Sequence, residues 1–257
     1  VSNVPKIGTP IQVDGDLSDW KSYAEIQDFK PFLNSGQEAF LEQYPTTVRL
    51  AWNENGLYIA YICDGGDLFI NPRKGAEDAS LHQGDVVEIF LDARGDGREW
   101  KEFQVNPIGQ VFDMLSIMLD EPEYTRTKRL TPESGQRSLI RYMGAYQMIG
   151  TQAVARQSGD RWVAEILIPP EYLLPKGVES LDDLTIRINF VRYKWAKEPD
   201  TTKRTLVGSL WSTVQFGCPH ISPARMGYLH LVDPAAMAQP QYNNNSWFCE
   251  GWMSASD

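Results

Sequence analysis

Gly84-Asp85-Val86-Val87-Glu88-Ile89-Phe90-Leu91-Asp92 reads as a β-strand with acids inside it and at both ends. Val87, Ile89 and Leu91 fall on one side of the period-2 pleat, and Val86, Glu88, Phe90 and Asp92 on the other. One face is apolar throughout, as a core-facing sheet requires. The other holds a carboxylate in mid-strand between Val86 and Phe90, where a strand needing only solubility more often shows Thr, Lys or Ser. Two readings are open at this point: a solvated edge, or a polar ligand site held on a rigid sheet.

Outward from this strand the same rhythm recurs. Glu102-Phe103-Gln104-Val105-Asn106 alternates, with Phe103 and Val105 inward and Gln104 and Asn106 outward, and Gln110 to Met114 continues beyond Pro107-Ile108-Gly109. Two neighbouring strands therefore present amide and carboxylate groups on their non-core faces. Upstream, Thr47–Trp52 and Leu57–Cys63 flank Asn53-Glu54-Asn55-Gly56, a strong hairpin signal. Asp64-Gly65-Gly66-Asp67 ends the second strand, and a charged loop runs from Asn71 to Gly84.

Downstream, strands are expected over Thr151–Gln157, Trp162–Ile168, Thr185–Tyr193 and Tyr228–Val232, with a short helix at Glu171–Leu174 and a long loop opening at Trp211. Ile11–Val13 reads as a short strand, followed by an Asp14-Gly15 turn and a one-turn helix capped by Asp or Ser, with Trp20 anchoring the turn. Leu115 to Met148 reads as an exposed, charged excursion.

Short strands with turn chemistry between them define an all-β chain, an antiparallel β-sandwich of jelly-roll or immunoglobulin-like type with short helices in loops. The expectation is one domain over 1–257, its body about 11–232, with 233–257 as a C-terminal extension docked by its aromatics.

The chain of 257 residues carries a formal net charge of −10, which argues against nucleic acid or an anionic membrane as partner, since both require a basic face. No apolar run approaches the roughly 18 residues of a spanning helix, so no membrane insertion is expected. Val1-Ser2-Asn3-Val4-Pro5 reads as a trimmed or mature start. Cys63, Cys218 and Cys249 are too few for a disulfide scaffold. Cys63 reads as a core residue; Cys218 and Cys249 are either free or one bridge holding the tail.

No nucleophile elbow, phosphate loop, dinucleotide fingerprint or HExxH is present. Glycoside hydrolysis needs two opposed carboxylates, which Glu88 with Asp92 or Asp85 would nominally supply. Nothing in the pattern supplies the burial that would raise the pKa of a general acid. The expectation is therefore a non-enzyme.

The ordered set Ile11-Gln12-Val13-Asp14-Gly15 with Trp20, Val48-Arg49-Leu50-Ala51-Trp52, Leu57-Tyr58-Ile59, Asp64, Gly84 to Asp92, Phe103-Gln104-Val105-Asn106, Trp162 to Ile166, Trp211-Ser212 and Met226-Gly227-Tyr228-Leu229 resembles a family 9 carbohydrate-binding module, within the DOMON-like sandwich group that binds sugar or haem. The resemblance implies non-catalytic binding of a sugar or oligosaccharide end in a polar cleft on one sheet face, carbohydrate as partner, and a secreted or periplasmic location. It places Glu88 as the mid-strand sugar contact and Gln104 where the family carries Arg. His82 and His220 stand at the two positions of the family's sandwiching tryptophans. Arg204, next to Lys203, lies one residue out of register with a further basic contact.

No cofactor is required by this reading. Calcium is the one optional metal, with Asp64 and Asp85 near the family's calcium region; the alternative for both is a turn cap. The second functional reading is a haem-binding electron-transfer domain of the same group, with His82, His220 and Met114 as candidate ligands, and the third a glycoside hydrolase. The oligomeric state is left open.

Overall fold

Alternating side chains sort this chain into two packed sheets. The computed structural model describes residues 1–31, 38–71, 81–119, 140–198, 200–212 and 223–237. The elements run β1 Ser2–Pro5, β2 Ala24–Ile26, β3 Lys30–Pro31, α1 Glu38–Gln43, β4 Thr46–Asn53, β5 Gly56–Asp64, β6 Val86–Asp92, β7 Glu99–Val105, β8 Val111–Met118 and β9 Ile140–Met143. They continue through β10 Gln152–Ser158, β11 Arg161–Ile168, α2 Pro170–Leu173, β12 Thr185–Lys197, β13 Arg204–Leu210, β14 Gly227–Val232 and α3 Pro234–Met237.

Among the described residues, nine strands form one sheet and five the other. The larger sheet runs β1-β14-β12-β6-β7-β8-β9, with β13 on β12 and β3 on β13; the smaller runs β10-β11-β5-β4-β2. Among the described strands β1 pairs with β14 in parallel and every other strand pair is antiparallel, while Lys6 adds an isolated parallel bridge to Trp52. This is the expected all-β sandwich. The acid-bearing strand Val86–Asp92 is β6, central in the larger sheet between β12 and β7.

Val87, Ile89 and Leu91 of β6 enter the core between the sheets and meet Leu50, Trp52, Ile59, Tyr61, Trp162 and Ile166 from the opposite layer. Each such aliphatic side chain, once buried, contributes about 1.5–3 kcal/mol. Cys63 lies in this core as expected, and burial pushes its thiol up to about 11. The Arg192 guanidinium closes one end of the core. It donates to the carbonyls of Tyr44 and Pro45 (3.0 Å each), to Thr46 Oγ1 (3.1 Å) and to Asp64 O (2.5 Å), tying β12 to the ends of β4 and β5.

Both sheets also bury much of their outer faces. Residues 7–23 cross the smaller sheet, where Ile11 and Trp20 cover Tyr58, Ala60 and Leu167. Ile11–Val13 forms no strand here, which corrects the expectation. Its neighbourhood bonds to carboxylates instead: Gln12 N donates to Asp19 Oδ2 (2.7 Å), while Asp14 N and Gly15 N donate to Glu165 Oε2 (3.0 and 2.5 Å). Asp16 caps the one-turn 3-10 helix Leu17–Asp19, and Trp20 is buried as its anchor.

The β4–β5 hairpin turns on Glu54-Asn55, with Asn53 opposite Gly56. Gly56 has φ +133, and a Cβ there would drive into the Ile168 carbonyl. Gly56→Ala is expected to cost on the order of 2–3 kcal/mol, read as a lowered urea midpoint; an unchanged midpoint would contradict the packing of this turn on β11.

β8 runs on to Met118 and β9 pairs with it, so 115–118 and 140–143 of the expected 115–148 excursion belong to the larger sheet; residues 120–139 lie outside the described ones. The tail, Cys218 and Cys249 also lie outside them.

Candidate functional site

Glu88, Gln104 and Glu102 sit on the outer face of the larger sheet, the side opposite the main core. Register sets Glu88 between Val191 and Gln104. The Gln104 amide joins the acids: Nε2 donates to Glu88 Oε1 (2.9 Å) and Glu102 Oε1 (2.5 Å). All three side chains are buried, Glu88 and Gln104 at 0% exposure. The alternation placed Glu88 on the correct face, but that face does not meet solvent at Glu88, which corrects the expectation of an open polar cleft there. Phe90, Val86, Val191 and Trp100 pack into a second apolar cluster on the same face and enclose the pair.

The amide oxygen of Gln104 reaches outward. Its Oε1 accepts from Leu81 N (2.6 Å), so the buried amide fixes the backbone just before His82. The His82 side chain is exposed, and its carbonyl accepts from Trp195 Nε1 (3.1 Å). The structure thus joins Glu88 to Gln104, and Gln104 to the backbone amide of Leu81, the residue before His82. Arg204, the first residue of β13, joins the same neighbourhood through Trp195: its Nη1 donates to Trp195 O (2.8 Å). The same Nη1 also donates to Asp67 Oδ2 (3.0 Å) and Nη2 to Asp67 Oδ1 (2.8 Å), which holds the Asp67 carboxyl below its ordinary value. His220 lies outside the described residues.

The two metal candidates are engaged by cations. Asp64 takes Arg161 in two bonds, 2.6 and 3.2 Å. Asp85 takes Lys194 Nζ at 2.8 Å and two backbone donors, Trp195 N (2.7 Å) and Phe69 N (3.1 Å). Each carboxylate thus neutralises a cation, and the described residues hold no cluster of three or more metal-ligating side chains. Asp92, the nominal partner of Glu88 in hydrolysis, accepts from Gly95 N and Gly97 N (2.8 Å each) and from Arg187 (3.2 Å), bracing the turn after β6. Met114, a candidate haem ligand, is buried in β8 opposite Glu102.

The sequence reading missed Phe69, Trp195 and Lys194. Phe69 follows the glycine break at the end of β5. Trp195 and Lys194 lie in the last third of β12, beyond the expected strand end at Tyr193. Continued alternation through Tyr193-Lys194-Trp195-Ala196 was the available signal.

No family model and no curated protein matches the chain. Solved structures do. A family 9 carbohydrate-binding module from Caldicellulosiruptor kristjanssonii in complex with cellotriose matches with a TM-score of 0.56 and 14% identity, over 92% of this chain and 97% of that one. The glucose complex from the same organism gives 0.56 and 14%, over 90% and 96%. A candidate carbohydrate-binding protein from Bacteroides uniformis gives 0.50 and 15%, over 80% and 86%. The fold is that of family 9 carbohydrate-binding modules.

Proposed function

We propose that this chain binds carbohydrate without acting on it, at the surface formed by His82 and Arg204 above the buried Glu88–Gln104 pair. The observation that carries this reading is a hydrogen-bonded relay. A buried carboxylate orients an amide, the amide orients the Leu81–His82 backbone, and an exposed imidazole and a guanidinium stand on the result. Such support keeps polar contacts in place for a neutral, hydroxyl-rich ligand, which gains from preset donors and acceptors more than from charge. The likeness to modules solved with cellotriose and glucose adds the ligand class. In this proposal Glu88 and Gln104 are positioning residues, His82 and Arg204 touch the sugar, and His220 enters on the motif order alone. A secreted or periplasmic setting belongs to the same reading. No helix among the described residues is long and apolar enough to cross a membrane.

Gln104→Leu separates positioning from simple contact. It removes the acceptor of Leu81 N and the Nε2 donor of Glu88 and Glu102 while keeping the bulk, and is expected to weaken glycan binding tenfold or more, about 1.4 kcal/mol. Titration calorimetry beside a urea midpoint checks this. Equal affinity in Gln104→Leu and wild type would remove the relay from the proposal.

A further inference from the structure

We infer that Trp195 and Phe69 form the aromatic corner against which a neutral pyranose ring packs, with the Asp67–Arg204 pair as its hydroxyl-binding rim. The inference rests on the carbohydrate-binding reading and names the groups that would carry it. Beside the exposed His82 stand two partly exposed aromatic side chains, Phe69 and Trp195.

Trp195 projects from the outer face of β12, opposite Leu206 of β13. Its indole is fixed by the bond from Nε1 to the His82 carbonyl. Phe69 is fixed from its backbone: its N donates to Asp85 Oδ2 (3.1 Å) and its O accepts from Asp85 N (2.7 Å). The two rings lie 6.0 Å apart at 54°, two walls of a corner rather than a stack. Both are partly exposed, in contrast to the fully buried Glu88 and Gln104. The Arg204 guanidinium sits 5.0 Å from the Phe69 ring centre and holds Asp67 in a two-bond fork.

A pyranose with equatorial hydroxyls offers an apolar C–H face and a rim of groups that both donate and accept. The aromatic corner suits the first, and a paired guanidinium and carboxylate suit the second. The Asp67 side chain is 50% exposed, so its carboxylate is open to a ligand while paired. Because the paired charges cancel, the site favours a neutral sugar over a uronic acid or a sulfated one.

Titration with glucose, cellotriose and a uronic-acid oligosaccharide tests this on wild type, Trp195→Ala, Phe69→Ala, Asp67→Ala and, as a control on the opposite sheet, Tyr23→Ala. The expected result is binding of the neutral sugars by wild type and Tyr23→Ala. Affinity should fall at least tenfold in the two aromatic variants and about fivefold in Asp67→Ala, with the uronic acid bound more weakly than the neutral sugars. Should Trp195→Ala or Phe69→Ala fail to fold, the surface change Asp67→Ala decides. Full affinity in folded Trp195→Ala, or in Asp67→Ala, overturns the corner and leaves carbohydrate binding standing. A wild type that binds no sugar overturns both.

Discussion

Asp85→Ala is expected to cost about 3–5 kcal/mol of stability. Asp85 and Lys194 form an ion pair of 2.8 Å with both side chains only 2% exposed, so removing one partner strands the other charge in the interior. The same change deprives Trp195 N and Phe69 N of their acceptor. Lys194 also donates to the Asp67 carbonyl, which does not replace a counter-charge. Burial holds the Lys194 ammonium below its ordinary 10.5, with Asp85 opposing that shift. In the window between that lowered pKa and 10.5 the unfolded chain binds more protons, so stability rises with pH there. Without Asp85 the window extends further toward neutral pH. Urea unfolding at several pH values measures both effects, and Asp85→Ala/Lys194→Met should recover part of the loss by removing the stranded charge. A loss below about 1 kcal/mol at neutral pH, the range of an exposed pair, would contradict the assigned burial.

Glu165→Ala is expected to cost about 3 kcal/mol and to loosen residues 7–23. One buried carboxylate receives Trp20 Nε1 (2.6 Å), Gly15 N (2.5 Å) and Asp14 N (3.0 Å), so its removal orphans three donors at once. Hydrogen exchange should show lost protection at the Trp20 indole and the 14–15 amides before the core responds. Burial raises the Glu165 carboxyl above its ordinary 4.5 despite those donors, which pull it down. The folded state therefore holds the proton more tightly, and this contribution to stability is present below 4.5 and lost as pH rises through the raised pKa. Glu165→Gln should flatten that slope. A slope that persists in Glu165→Gln would assign the titration to another group.

Local signals carried much of this fold. The alternation of β6 set which side of Glu88 faces the core, Asn53 to Gly56 set the first hairpin, and Asp14-Gly15 with Trp20 marked an anchored turn. What failed was decided by tertiary contact. Arg204–Leu210 places Leu206 and Val207 side by side and carries Gly208, so it shows no clean period; it is a strand because the 13-residue β12 outruns β14 and leaves Val191–Lys197 as an edge for β13 to pair with. Ile11–Val13 alternates like a strand, yet carboxylates from Asp19 and Glu165 take the local donors.

The candidate site was legible in its centre and not in its surroundings. Glu88 and Gln104 were visible as polar groups on adjacent strands, and their register brings them into contact. Their burial was not visible, because it depends on Leu81 folding onto Gln104 and on apolar neighbours such as Phe90 and Val191. Asp64 and Asp85 looked alike in sequence, and only the approach of Arg161 and Lys194 across strands gives them their roles.

Isothermal titration of the wild-type chain with a panel of neutral glycans, glucose and cellotriose included, tests the central claim most directly. Saturable binding of at least one glucan, competed by free sugar and weakened in Gln104→Leu, is the expected result. The absence of heat and of competition across the whole panel at millimolar sugar, from protein shown folded by its urea transition, would contradict it.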